Sequence, residues 1–209
     1  IVLLFWVLIY STSSKLQTTF YTVESSKINS EIKIVLITDL HGSFFGKEQE
    51  QLINAINKVN PDLVFLTGDI FDEDIDFKGS ELLLEEIGVK YTCYYVTGNH
   101  EYWTNQVDEI KEKVRSYSIT VLEGQTNTIN VNGQLINISG LDDLNIGEEE
   151  WLKQIDKCGE KIDNNTYSIL LTHRPELIDI YKQYDFDLIL CGHAHGGQVK
   201  IPIISTGLY

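Results

Sequence analysis

From Ile32 onward the chain alternates short apolar runs with stretches of helical periodicity, and that alternation confines it to an α/β layer fold. Residues 34–38, 63–67, 92–97, 168–172 and 187–191 read as buried strands, with 134–139 as a sixth. Between them Leu52, Ile53, Ile56 and Val59 fall at helical spacing, as do Val107, Ile110, Val114 and Tyr117. Trp151, Leu152 and Ile155 suggest a third helix, and Pro175 opens a fourth, where its missing N–H costs nothing. No internal repeat or second globular domain interrupts this pattern, so residues 32–209 are expected to form one domain behind an apolar and polar leader, 1–31.

Polar residues collect where five of the strands stop: Asp39 and His41, Gly68 and Asp69, Gly98 to Glu101, His173, and Gly192 to His195. Sites in open α/β sheets lie at the carboxyl ends of strands. All five histidines of the protein fall in these clusters. Imidazole with carboxylate and amide oxygen is a ligand set for a divalent ion, and the absence of thiolate permits zinc, iron or manganese. Each cluster has a bland reading alone: Asp39 as a helix cap, Gly68-Asp69 as a turn, His173 as a structural histidine. Gly98-Asn99-His100-Glu101 is more informative, because a tight turn there would aim amide, imidazole and carboxylate into one small volume. His193-Ala194-His195, flanked by Gly192 and Gly196-Gly197, is the strongest piece, since two imidazoles on a glycine-bounded loop can reach two neighbouring ions.

In order, Asp-x-His, Gly-Asp, Gly-Asn-His-Glu, His and Gly-His-x-His resemble the five-block signature of the calcineurin-like metallophosphoesterase superfamily, over about Ile32 to Gln198. Gly196-Gly197-Gln198 resembles the bacterial, often membrane-anchored branch that includes UDP-diacylglucosamine pyrophosphatases. The resemblance implies a four-layer αββα sandwich of mixed sheets flanked by helices. It also implies two divalent ions (manganese, iron or zinc): Asp39, His41 and His195 would hold the first, Asn99, His173 and His193 the second, and Asp69 would bridge them. A dimetal-bridging hydroxide would attack phosphorus while His100 protonates the leaving oxygen, with Asp72 orienting His100. Members usually continue beyond the Gly-Gly-Gln block, so a last strand or substrate-lining segment is expected to be missing at the C-terminus. Two other readings stay open: a non-catalytic metal-binding scaffold of the same fold, opposed by the full set of ligands, and a nuclease of the same superfamily.

Charge bears on partners. The formal net charge is −15, which disfavours a nonspecific grip on nucleic acid; the resemblance implies a phosphorylated small-molecule substrate, or a lipid-linked one if the apolar start is an anchor. Of the two arginines, Arg174 next to His173 could reach substrate or pair with a carboxylate; Arg115 lies elsewhere. Asp142 and Asp143 could support the site or simply form a turn. Cys93, Cys158 and Cys191 form no CxxC pair and predict neither a disulfide framework nor a thiolate site. Ile1 to Tyr10 is an unbroken apolar run, about half of the roughly 20 residues a spanning helix needs. With the polar stretch from Ser11 to Ser30 it predicts the remnant of a membrane anchor and stalk, and the sparse positive flank places the catalytic domain outside the cytoplasm.

Overall fold

The computed structural model describes residues 16–195. The chain divides into two compact units, Tyr21–His193 and a second made of Ile1–Phe20 with Ala194–Tyr209. All of the strands and helices below belong to Tyr21–His193.

The first sheet has the order β1 (Ile34–Ile37), β2 (Leu63–Thr67), β3 (Thr92–Val96), β4 (Thr120–Val121), each pair parallel. Helices α1 (Glu50–Val59) and α2 (Lys78–Gly88) make its first two crossovers. The short α3 (Asn99–Trp103) and then α4 (Val107–Ser116) make the third. The second sheet has the order β5 (Gln125–Val131), β6 (Gln134–Gly140), β7 (Tyr167–Leu171), β8 (Leu188–Leu190). There β5 runs antiparallel to β6, and the remaining pairs are parallel across α5 (Glu148–Gly159) and the short α6 (Ile178–Tyr181).

Alternation along the strands builds the layers, because successive side chains point to opposite faces. Leu63, Phe65, Tyr94 and Val96 of the first sheet meet Ile136, Ile138, Tyr167, Ile169 and Leu171 of the second in one buried cluster. Leu170, on the opposite face of β7, joins Trp151, Ile155 and Cys158 of α5 and Tyr181 of α6. On the outer side of the first sheet Val64, Leu66 and Tyr95 are fully buried, as are Leu83 and Leu84 of α2 and Val114 of α4. The expected α/β sandwich with helices on both flanks is therefore the observed architecture.

The strands read from the sequence are present within a residue or two of their bounds; β4 and β5 were not anticipated. β5 reads Gln-Thr-Asn-Thr-Ile-Asn-Val, a polar edge strand rather than an apolar run. It is tied to β6 by Asn132-Gly133, both at positive φ (52° and 84°), the signature of a two-residue hairpin turn. Helix α2 also went unread, although Leu83, Leu84 and Ile87 share its buried face. Pro175 opens a 3-10 turn, Pro175–Leu177, that runs into α6. Within the stretch read as a stalk, Ile28 packs against the inter-sheet core and the Asn29 N–H donates to Gln134.

The expectation of a membrane-associated protein with an extracytoplasmic domain is corrected: among the described residues no helix is long and apolar enough to cross a membrane. The apolar run Ile1 to Tyr10 that prompted it lies outside the described residues, as do Gly196 to Tyr209 at the other end.

Lys111 of α4 is 4% exposed and pairs with Asp142, just past β6, at 2.8 Å and with Glu123 at 2.9 Å. It thus joins a helix of the first sheet to the end of the second. Burial opposes both charges, yet Asp142 and Glu123 raise the Lys111 pKa, and Lys111 with Arg115 lowers that of Glu123. The Glu123 contribution is therefore present above its ordinary value of 4.5 and lost as pH falls through its lowered folded value. Lys111→Met leaves the buried Asp142 without its cation and is expected to cost about 3 kcal/mol. Urea denaturation at neutral pH measures that loss, and a flatter fall of stability below pH 4.5 in the variant checks the linkage.

Candidate metal centre

The strand ends are laced together before any side chain is considered. After β1, the N–H groups of Asp39, His41 and Gly42 donate to the carbonyls of Gly68, Asp69 and Ile70 in the turn after β2, at 3.1, 2.9 and 3.1 Å. That turn is in turn held by Glu101. Its fully buried carboxylate accepts from the N–H groups of Asp69 (2.9 Å), Ile70 (2.7 Å), Phe71 (3.0 Å) and Gly98 (2.8 Å). Burial and the Asp69 charge push the Glu101 pKa up, against the pull of these donors. The sequence reading had Glu101 pointing into the same volume as Asn99 and His100; its carboxylate is instead taken up by backbone N–H groups.

The clamp puts Asp69 at the centre. Asp69 is 1% exposed and takes a left-handed backbone, φ 51°; its Oδ1 accepts from the His100 N–H at 2.9 Å. The other oxygen, Oδ2, faces three imidazoles: Nε2 of His173 at 3.0 Å, of His41 at 3.9 Å and of His100 at 4.0 Å. Each of these rings is fixed from behind at Nδ1. His173 Nδ1 lies 2.8 Å from the Thr67 carbonyl, His41 Nδ1 2.7 Å from Asp72 Oδ2, and His100 Nδ1 2.7 Å from Glu73 Oε2. A ring anchored outward at Nδ1 aims Nε2 inward, which is how protein histidines are oriented towards ions or substrates.

Two observations test whether the residues fit a metal. His173 Nε2 is buried and, despite its 3.0 Å approach to Asp69 Oδ2, the two are not aligned for a hydrogen bond. Asn99, 2% exposed, buries an Oδ1 with no hydrogen-bond partner. A buried polar atom without a hydrogen bond costs about 1–3 kcal/mol, and an imidazole nitrogen beside a buried carboxylate, with a buried amide oxygen left over, fits a cation. Asp69, His173 and His193 can bring one ligand atom each within 4.8 Å of one another, and so can His41, Asp72 and His100.

The electrostatics show that the Asp69 carboxylate favours positive charge beside it. Burial alone would raise the Asp69 pKa, but His173 and the His100 N–H outweigh it and lower it. Burial would lower the His173 pKa, but the Asp69 carboxylate and the Thr67 carbonyl hold it up at about 9. Burial, then the charges of Arg174 and His173, lower the His193 pKa.

Backbone strain marks the same residues. Asp39 (φ 53°), His41 (φ 49°), Asp69 (φ 51°) and His193 (φ 68°) all sit in the left-handed region, unusual for residues with a Cβ and concentrated at functional sites. His195 shares it, φ 48°, but belongs to the other unit, so its place beside Asp39 and His41 stays an expectation from the sequence. His193 is drawn in through its N–H, which donates to Asp39 Oδ1 at 2.9 Å.

Arg174 pairs chiefly with a buried carboxylate, with the exposed Glu176 a looser partner at 3.5 Å. It makes a two-pronged bond to the buried Asp143, Nε to Oδ2 at 2.6 Å and Nη2 to Oδ1 at 3.1 Å, and its Nη1 lies 3.0 Å from His193 Nε2. Asp143 is positioned by its own N–H on Thr97 Oγ1 at 2.9 Å, and Thr97 Oγ1 donates to Asp142 at 2.8 Å. Glu73, Glu101 and Asp143 are the residues whose part the sequence did not disclose; Glu101 left a trace as the last member of the Gly-Asn-His-Glu block, and Asp143 was left open between a supporting and a turn residue.

Carboxylates and histidines converging at the strand ends of an αββα sandwich define the class of metal-dependent phosphoesterases. The chain belongs to the calcineurin-like phosphoesterase family, whose description matches residues 32–197, and its domain is of the type that hydrolyses phosphoester bonds. It is 36% identical over 186 residues to an uncharacterized metallophosphoesterase of Campylobacter jejuni, covering 85% of this chain and 47% of that protein. It is 31% identical over 182 residues to the phosphodiesterase YaeI of Escherichia coli, covering 82% and 63%. The chain thus spans about half the length of the first of these relatives. Its fold is similar to that of the phosphopantetheinyl hydrolase of Mycobacterium tuberculosis, with TM-score 0.52, 14% identity, and 74% and 72% of the two chains covered.

Glu101→Ala leaves four buried N–H groups without their acceptor and releases the Asp69 turn. It is expected to destabilise the fold by about 3 kcal/mol or more and to lower divalent-ion content, read by denaturant titration and elemental analysis. Gly98→Ala tests the same approach from outside, since its Cβ would stand 2.2 Å from Asp69 Oδ1; metal content should fall there too.

Proposed function

We propose that this domain hydrolyses a phosphoester or diphosphate bond with a pair of divalent ions. The observation that carries the reading is the arrangement around Asp69: three imidazoles turn Nε2 towards one buried carboxylate oxygen, each with Nδ1 anchored outward. Asp39, His41 and His195 are assigned to one ion, Asn99, His173 and His193 to the other, and Asp69 to both. The donor set suits manganese, iron or zinc. When bound, such ions polarise the phosphoryl group and activate water as the nucleophile.

The protein side chains divide the remaining work. His100, carried at the start of α3 beside Asn99, presents Nε2 to the same space as Asp69 and is assigned to donate a proton to the leaving oxygen. Asp72 belongs to the same machinery, its Oδ2 lying 2.7 Å from His41 Nδ1 and 3.3 Å from His100 Nδ1. Arg174, its charge matched by Asp143, holds the approach to His193 rather than offering a free cation to substrate. The substrate is a phosphorylated small molecule or a lipid-linked phosphoester; the name of the Escherichia coli relative puts a phosphodiester first in the panel to be assayed.

The purified protein is expected to contain manganese, iron or zinc by elemental analysis, and to turn over at least one of an aryl phosphomonoester, an aryl phosphodiester and a lipid-linked diphosphate. Chelation should abolish turnover and re-addition of the ion restore it. His100→Ala should keep the metal and lose roughly a hundredfold to ten-thousandfold in kcat. Metal uptake with no turnover on any substrate would favour a binding scaffold, and a folded sample that takes up no divalent ion would end the proposal.

A further inference from the structure

The run Asp72-Glu73-Asp74 follows the bridging turn, and it meets two histidines at once. Asp72 is the less free of its first two carboxylates. Its Oδ1 accepts from the Asp74 N–H at 2.9 Å, and its Oδ2 lies 2.7 Å from His41 Nδ1. From the same Oδ2 to His100 Nδ1 is 3.3 Å, whereas Glu73 Oε2 reaches that nitrogen at 2.7 Å. The two rings stand edge to face, centroids 4.4 Å apart, so one carboxylate oxygen cannot lie in line with both Nδ1–H bonds equally well. Trp103, one turn along α3, closes the other side of His100 with ring centroids 4.5 Å apart.

We infer that Glu73 is the positioning residue of His100 and that Asp72 positions the metal-binding His41. The resemblance drawn from sequence had given His100 to Asp72; the two neighbouring carboxylates instead take one imidazole each. This inference rests on the proposed phosphoester chemistry. In that reaction the bond between phosphorus and the leaving oxygen breaks, the leaving oxygen keeps the electron pair and takes the proton from His100 Nε2. The oxygen of water takes its place on phosphorus, one proton passes to solvent, and His100 is reprotonated from solvent. Glu73, fastened to Nδ1, sets the direction in which Nε2–H points.

The two assignments separate in experiment because they act on different steps. Proton donation matters most when the leaving oxygen is basic, so Glu73→Gln should lower kcat more for an alkyl phosphoester than for the matching p-nitrophenyl ester, by roughly tenfold in the ratio. Its manganese content and affinity should match the wild type, and Glu73→Asp should recover part of the alkyl-ester rate. Asp72→Asn should weaken manganese binding by roughly tenfold to a hundredfold, as loss of an orienting partner behind a histidine ligand does. Imidazole ¹⁵N spectra give a readout independent of turnover: the hydrogen-bonded His100 Nδ1–H signal should persist in Asp72→Asn and be lost in Glu73→Gln. An unchanged ester ratio with the His100 signal intact in Glu73→Gln would overturn the inference, as would finding that signature in Asp72→Asn instead. Should the wild type hydrolyse no ester, the catalytic reading falls, and the spectra alone still decide which carboxylate holds His100.

Discussion

One buried carboxylate organises the region on which the rest of the site depends. Glu101 gathers N–H groups from Asp69, Ile70, Phe71 and Gly98, joining the turns that follow β2 and β3. Without that acceptor, the turn after β2 would have to hide three unpaired donors, and each costs on the order of 1–3 kcal/mol. With it, the turn can hold Asp69 in a left-handed conformation and offer Ile70 and Asp69 carbonyls to the loop after β1. The position of His41 is therefore inherited from Glu101 through one layer of carboxylate–backbone hydrogen bonds and one of backbone–backbone hydrogen bonds.

This scaffold explains why left-handed residues gather at the site. Asp39, His41, Asp69 and His193 would each prefer another backbone region, and aspartate and histidine are among the residues that tolerate this one best. Aiming several short side chains at one point from different strand ends leaves little freedom in the chain, and the N–H groups of the strained Asp39, His41, Asp69 and His193 are themselves all engaged. A preorganised cluster of this kind keeps its ligands in place and needs no rearrangement when an ion or a phosphoryl group arrives.

The features most legible in the sequence were those written in unbroken local patterns. β2 and β7 are buried at every position and, Thr67 and Ser168 aside, apolar, because both of their faces are covered, and such runs announce themselves. β5 hid because an edge strand pairs on one side and tolerates Asn, Thr and Gln; its Asn132-Gly133 turn was the signal to follow. The histidines were legible as a set because all of them end strands. What the sequence could not show was direction. Nothing in Gly-Asn-His-Glu says that the histidine and the glutamate take different partners, and nothing in Asp-Glu-Asp says which carboxylate meets which imidazole. Those outcomes depend on contacts such as Glu101 with Phe71 and Glu73 with His100, across tens of residues.

Charge supplies a last step. The chain carries −15 overall, and around Asp69 lie Asp39, Asp72, Glu73 and Glu101. The nearby guanidinium, Arg174, is already neutralised by the two oxygens of Asp143. Phosphoryl transfer gathers negative charge on oxygens that must be met by positive charge, and among the described side chains of this cluster no unpaired cation is left to meet it. A site so built attracts ions before it can attract a phosphate, because a bare anion would be repelled by the carboxylates that frame the pocket. The acidic framing and the imidazole ring thus both favour cations over a bare anion, which is the order of binding that the proposed two-ion reading requires.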